Sequence, residues 1–332
     1  MDAEESKLGE IIKPEYLRPT NEETTMPSHV TWKICAHQTE TTCLTFNRDG
    51  SILYTGGGDG LVKAWETSSG RQLQTMQGLN QTVLDVAASL DDEHVAATSI
   101  DQNKIQLFRT KTTTRIEQYA GHSDLVTCVR FNYNQKSLIS ASNDRTIRTW
   151  NISTGQHVAA QCSTRINNID LSWSETTMVT THMKDMRFWN MSNGQAQLIH
   201  TMQNAHLDQV TCARFTSDER YVISTGQDHV VKLWDVRTWQ PVCEPGFEAE
   251  LYTCPNGVAK TKLTVSPDSQ FVVAGSQNGA VIILDIKSGT SLDIAEIYDD
   301  EHVYAVVGTE WVPGASSFAT IDQSGGLHLW SA

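Results

Sequence analysis

The sequence predicts an all-β chain built from one small unit repeated seven times, and three observations carry that expectation. Four histidines stand 28 residues before a tryptophan: His37 and Trp65, His122 and Trp150, His206 and Trp234, His302 and Trp330. Segments around Cys43, Cys128 and Cys212 repeat as TCLTF, TCVRF and TCARF, with the alternation of a half-buried strand. A glycine recurs five residues beyond the repeat's anchor, at Gly70, Gly155, Gly194 and Gly289.

Degenerate copies fill the gaps, with Phe108, Trp189 and Leu284 as anchors. The anchors are then spaced 43, 42, 39, 45, 50 and 46 residues apart, a period of seven units. Within a unit the first strand is the TCLTF type, followed by a polar turn such as NRDG or TSDE. A second strand follows (SILYT, SLISA, YVIST), and a third ends at the anchor (LVKAW, TIRTW, VVKLW). The glycine beyond the anchor tolerates the positive φ of a hairpin turn, so a fourth strand starts there. Four antiparallel strands in each of seven units make a seven-bladed β-propeller over residues 29–332. The last unit stops at Trp330-Ser331-Ala332 and lacks its fourth strand, whereas HVTWKI, His29–Ile34, precedes the first unit as a spare. That strand is expected to complete the last blade and remove an open sheet edge. Residues 1–28, with three positive and seven negative charges and three prolines, read as a mobile acidic tail.

Composition narrows the function. The net charge is −14, from 25 Lys plus Arg against 39 Asp plus Glu, which repels phosphate backbones and makes nucleic acid an unexpected partner. No apolar run reaches membrane-spanning length, and Met1–Glu10 has no signal-peptide core. Seven cysteines without a C-x-x-C pair fit a reducing compartment, so a cytoplasmic protein is expected.

The chemistry-bearing residues recur with the repeat. Asp59, Asp144 and Asp228 each fall 22 residues after a histidine, and Thr55, Ser140 and Ser224 each lie ten before a tryptophan. Asp, His and a hydroxyl together invite a hydrolase reading. A catalytic constellation is needed once, beside a pocket and an oxyanion hole, and this one is repeated. The expectation is a structural chain in which Asp holds His, His reaches the hydroxyl, and the hydroxyl meets the indole N–H. Its members are His37, Thr55, Asp59 and Trp65; His122, Ser140, Asp144 and Trp150; and His206, Ser224, Asp228 and Trp234. GGGDG at Gly56–Gly60 lacks the G-K-[ST] ending of a phosphate loop and reads as a turn. His94, His157, His182, His200 and His229 share no ligand spacing, so neither metal nor cofactor is expected. A propeller enzyme would need an isolated acid–base pair or metal cluster at the central channel, and none is legible.

The units resemble WD repeats, with GH at Gly121-His122, AH at Ala36-His37 and Ala205-His206, and WD at Trp234-Asp235. A narrower likeness is to the C-terminal propeller of the autophagy-related protein 16 family. It rests on MPSHVTWKICAHQTETTCLTFNRDGSILYTGGGDGLVKAWE, on the short fourth unit THMKDMRFWNMSNG, on Pro245-Gly246-Phe247, and on SPDSQFVVAGSQNGAVIILDIKSG. The resemblance implies a non-enzymatic docking platform that helps place the machinery attaching ubiquitin-like autophagy proteins to membrane lipid. That family normally adds an N-terminal helix and a coiled coil. With 28 residues ahead of the propeller and no sustained heptads, a free-standing adaptor or a paralogous propeller is expected. The competing reading is a substrate receptor or subunit of another complex, in ubiquitin ligation, RNA processing or trafficking.

Partners are expected to be proteins or short peptides met by a monomeric propeller, with membranes reached only through them. The turns carrying the Asp and His residues should open on one face. Blades four and five depart from the rule, since RINNID replaces a GH segment and the turn around Met183 is short. The face expected to bind is Glu40, Leu125, Asn143, Asn167, Met183, Gln209, Gln227 and Tyr304. Met183 and Tyr304 would anchor an apolar side chain, and the Asn and Gln residues would bond peptide backbone.

Overall fold

The computed structural model describes residues 24–133, 136–242, 249–250, 261–293 and 304–332. They form seven antiparallel sheets, the blades of a β-propeller, each ordered from an inner strand a to an outer strand d. Blade one is Thr41–Phe46, Ile52–Gly57, Val62–Glu66 and Gln72–Met76, and the later blades repeat it. In blade seven the order is Val306–Trp311, Ser317–Asp322, Gly326–Ser331 and then His29–Cys35 from the opposite end of the chain. The spare strand closes the ring. Its register sets Val30 opposite Trp330 and Cys35 opposite Gly326.

Alternation explains where the core lies. Side chains on the two faces of each blade meet those of the neighbouring blades, so the apolar residues collect between blades. At the closing junction Leu44, Phe46 and Leu53 of blade one meet Ile321, Leu327 and Leu329 of blade seven. Between blades three and four, Ile139 and Ile147 pack with Ile169, Met178 and Trp189. Inner strands are also stitched sideways: Thr42 Oγ1 donates to the Val83 carbonyl and Thr127 Oγ1 to that of Ile166, at 2.6 and 2.7 Å. The glycines beyond the four anchors Trp65, Trp150, Trp189 and Leu284 take the left-handed conformation, with φ of 68° at Gly70 and 70° at Gly289. At Gly70 the space matters as well, because a Cβ there would come within 2.9 Å of the Trp32 indole.

The N-terminal tail lies largely outside the described residues, as do His302 and Pro245-Gly246-Phe247. The part of the tail that is described is seated. Thr24 N–H donates to Asp268 Oδ2 at 2.7 Å, Ser28 N–H to the Ser331 carbonyl at 2.7 Å, and Met26 packs against the junction of blades six and seven. Among the described residues no helix is long and apolar enough to cross a membrane.

Candidate functional site: two faces and a charged channel

Because strand a of each blade begins beside the b–c turn, the Asp-bearing turns and the His-bearing loops share one end of the ring. In blade one His37 Nδ1 lies 2.8 Å from Asp59 Oδ1, His37 Nε2 lies 2.9 Å from Thr55 Oγ1, and Trp65 Nε1–H donates to the same hydroxyl at 2.9 Å. Blade three repeats this with His122, Asp144, Ser140 and Trp150 at 2.9, 2.7 and 2.8 Å. Blade five repeats it with His206, Asp228, Ser224 and Trp234 at 2.8, 2.7 and 2.8 Å. Blade five is therefore regular, contrary to the departure expected of it, and of the two blades singled out only blade four departs.

The electrostatics fit neutral imidazole beside ionised carboxylate. Burial lowers the pKa of His37 and His122 against the pull of their Asp partners. For Asp144 burial pushes up, but bonds from Thr146, Ser123 and His122 outweigh it and hold the carboxyl at about 2. Nδ1–H then donates to Asp, the hydroxyl donates to Nε2, and the indole N–H donates to the hydroxyl oxygen. All three hydroxyls are fully buried, so no substrate reaches the would-be nucleophile. Each bond contributes roughly 1 kcal/mol net, and orphaning one buried member costs about 1–3.

Blade four keeps the circuit with displaced parts. His182, from the shortened b–c turn, sends Nε2 to Thr180 Oγ1 at 2.9 Å, and Trp189 Nε1–H donates to that hydroxyl at 2.9 Å. With Met183 at the position where the regular blades carry Asp, Nδ1 turns to the Arg165 carbonyl and Thr164 Oγ1, both at 3.0 Å. Sequence spacing missed this histidine because it occupies the turn instead of the preceding loop. Burial first and the Arg187 cation second push its pKa down to about 4. A depressed folded-state value means the unfolded chain takes up the proton first. The contribution is complete above pH 6.5 and fades as pH falls toward 4, by roughly 3 kcal/mol for His182. His182→Gln should therefore flatten urea-unfolding stability between pH 7 and 5 relative to wild type; an equal slope in both proteins contradicts the assignment.

Around the same face, equivalent backbone bonds join each d–a loop to its b–c turn. Gly58 N–H donates to Glu40 O, Asn143 N–H to Leu125 O and Gln227 N–H to Gln209 O, at 2.9, 2.9 and 2.8 Å. Met183 and Tyr304 are 63% and 54% exposed. Asn167 is a correction to the expected face. It is buried, Nδ2 donates to the His182 and Val210 carbonyls, and Oδ1 accepts Gln209 Nε2, so its amide is unavailable to a partner. Leu207 was missed: at 79% exposure it is the most exposed large apolar residue described, and its loop is bonded to the turn that carries Met183. The backbone bonds Met183 O to Val210 N–H and Lys184 O to His206 N–H hold the two loops together.

The central channel carries charge that the sequence did not reveal. Asp85, 1% exposed, accepts from Arg130 Nη1 at 2.7 Å, Lys262 Nζ at 2.5 Å and Val129 N–H at 3.0 Å. Arg214 donates to Asp170 Oδ1 at 3.1 Å and to Glu310 Oε2 at 2.8 Å. Burial pushes the Asp85 carboxyl up, yet Arg130 and Lys262 prevail and hold it far below the usual range. The carboxylates likewise raise Arg130, Lys262 and Arg214 against burial. A general acid or base needs a pKa near the working pH, and these groups are fixed in their charged forms. Asp91, Glu93 and His94 bring possible ligand atoms within 4.8 Å of one another on an exposed turn. Asp91 Oδ1 there already accepts from Glu93 N–H at 3.0 Å and from Ser89 Oγ, which is the ordinary bonding of a turn. The inner-strand thiols are inert: burial pushes Cys43 to about 12 and Cys128 to about 11.

Comparison with known proteins matches the model of the WD domain, G-beta repeat, at residues 28–66, 113–151 and 196–235, the three units with a complete Asp–His chain. Protein tipD of Dictyostelium discoideum is 28% identical over 93% of this chain and 50% of its own length. Autophagy-related protein 16 of Arabidopsis thaliana is 27% identical over 93% of this chain and 59% of its own. Ribosome biogenesis protein ytm1 of Schizosaccharomyces pombe is 25% identical over 96% of this chain and 68% of its own. The chain spans little more than half the length of the first two relatives.

Proposed function

We propose that this chain, a WD-repeat β-propeller, is a non-enzymatic docking platform for short segments of partner proteins, working in the cytoplasm in autophagy-type attachment of ubiquitin-like proteins to membrane lipid. The observation that carries the docking reading is the exposed pair Met183 and Leu207 on the face whose turns are fixed by the Asp–His chains. Rigid turns spare a partner the cost of ordering them, and an apolar pair on a polar rim is the usual anchor of an interface. Glu40, Leu125, Asn143, Gln209, Gln227 and Tyr304 complete the proposed face. The autophagy reading rests on the likeness to autophagy-related protein 16 over nearly the whole chain. The second reading, a subunit of another assembly, is favoured by the comparable match to a ribosome biogenesis protein.

Affinity purification from the source cells separates the two. Recovery of lipid-conjugation enzymes supports the first, and recovery of pre-ribosomal or ubiquitin-ligase subunits replaces it with the second. Met183→Asp together with Leu207→Asp should abolish capture, while changing stability by no more than about 0.5 kcal/mol per exposed site. A folded double variant that still captures its partners moves the docking surface elsewhere.

A further inference from the structure

The face opposite the Asp–His turns has its own opening. The a–b turns converge there around a cavity of about 420 Å³ at the mouth of the channel, within the roughly 300–1,000 Å³ range of small-ligand sites. The N-terminal segment leads to it. From His29, where the outermost strand of blade seven begins, the chain traced backwards packs Met26 between blades six and seven. Thr25 N–H then donates to Ser316 Oγ at 3.0 Å, and Thr24 N–H to Asp268 Oδ2 at 2.7 Å. Ser316 and Asp268 lie on the a–b turns of blades seven and six, so this segment runs inward from the rim toward the channel. The same two turns supply Pro313, Gly314 and Pro267 to the cavity's lining. We propose that the segment preceding Thr24 docks on this cavity in the same molecule, with the side chain of Tyr16 as its occupant.

Charge does not select the occupant. Arg48 and Arg214 balance Asp170 and Glu310 in the lining, and Arg214 is bonded to both carboxylates. The cavity offers instead an aromatic wall above a polar floor. Tyr133 and Trp173 stack there, with ring centroids 5.3 Å apart and planes 3° from parallel, and Leu90, Pro267 and Trp311 extend the apolar surface. On the floor the two carboxylates are acceptors, and the buried Arg214 Nε–H has no acceptor among the described residues. A phenol suits both parts, because its ring covers apolar surface while its hydroxyl both donates and accepts. An aliphatic side chain would strip the floor of water and bond none of it.

Tyr16 is the one aromatic residue in the sequence before Thr24. Eight residues separate the two, which is about 26–29 Å of fully extended chain. The tether starts beside Pro267, so that length is ample. A tether this short also holds the phenol at a local concentration of order millimolar, enough to fill a weak site.

The test uses acetyl-IKPEYLRPT-amide, the sequence of residues 12–20, titrated into the full chain with binding read from peptide NMR. The probe should bind Tyr16→Ala about fivefold more tightly than the parent, whose own tail competes for the cavity. Fivefold is about 1 kcal/mol, too little to move the thermal midpoint of a chain this long by more than about 2 °C. Trp173→Ala added to Tyr16→Ala should weaken the probe at least about tenfold in protein that still melts cooperatively. Should that variant fail to fold, a probe with alanine in place of its tyrosine decides the matter on unaltered Tyr16→Ala protein, where it should bind at least about tenfold more weakly. Equal binding of the probe by parent and Tyr16→Ala, or equal binding of the two probes, overturns the proposal. A probe that binds neither protein assigns the cavity to an occupant from outside this chain. Competition that appears only as the parent dimerises with rising concentration assigns it to the tail of a second copy, and either result overturns docking within one molecule.

Discussion

Asp85→Ala is expected to lower folding stability by about 3–5 kcal/mol, the cost typical of removing one partner from a buried ion pair. Among the described residues Asp85 is the carboxylate that Arg130 and Lys262 share, and it joins blade two to blades three and six across the channel. Without it two cations face each other in a site where Asp85 itself was 1% exposed. The backbone N–H of Val129 loses its acceptor as well. Asp85→Asn should recover part of the loss, because an amide oxygen still accepts from Val129 and from both cations. Replacing Asp85, Arg130 and Lys262 together by Leu, Met and Met should cost less than Asp85→Ala alone, since the desolvated charges disappear with their partner. Urea unfolding of the three variants measures this. An Asp85→Ala protein within about 0.5 kcal/mol of its parent would show that solvent already pays the charges' solvation.

That network also shows what the sequence could and could not convey. The blade count, strand order and closing strand were legible because each depends on a local pattern: the alternation in TCVRF, a glycine after the anchor, the 28-residue spacing from His to Trp. The Asp–His chains were legible for the same reason, since all four members lie within one unit. Arg130, Asp170, Arg214 and Glu310 occupy one register of strand a in blades three, four, five and seven, opposite Ile139, Val179, Ile223 and Ala319. In the sequence they stand 40 or more residues apart, each looking like the solvated face of a half-buried strand. Ring closure alone brings them together, and only then does the alternation of sign become a set of bonds. His182 was hidden differently. Its blade retains the chemistry of the hydrogen-bonded circuit and discards the spacing, so a search by position passes over it. Asn167 misled for the opposite reason: a break in the repeat was read as a place for a partner, whereas its amide repairs the break from within.

Removing residues 1–35 should lower the thermal midpoint by roughly 5–10 °C, whereas removing residues 1–23 should leave it within about 2 °C. The difference lies in the closing strand, His29–Cys35, and in the short seated segment before it. No residue of that strand is fully buried; Val30, Trp32 and Ile34 are half-buried and alternate with exposed neighbours. Each then contributes about 1 kcal/mol of apolar burial, half the value for a fully buried side chain. The ladder to Gly326–Ser331 and the Trp32 indole bond to the Thr67 carbonyl add to this, at 2.9 Å for the latter. Against them stands the backbone freedom that the chain end regains on release, of order 1 kcal/mol per residue, so the apolar sum of about 3 kcal/mol is the net. The loss has a second consequence. Gly326–Ser331 becomes an unprotected edge carrying Leu327, Leu329 and Trp330, an invitation to pair with another copy. The shortened protein should therefore aggregate on heating at concentrations where the parent does not, and light scattering during the thermal scan detects it. Trp32→Ala in the full chain separates the two effects: it keeps the ladder and so should lower the midpoint by a few degrees without aggregation. A 1–35 deletion that melts with its parent and stays monodisperse would mean that the ring is held shut by the junction of blades one and seven alone.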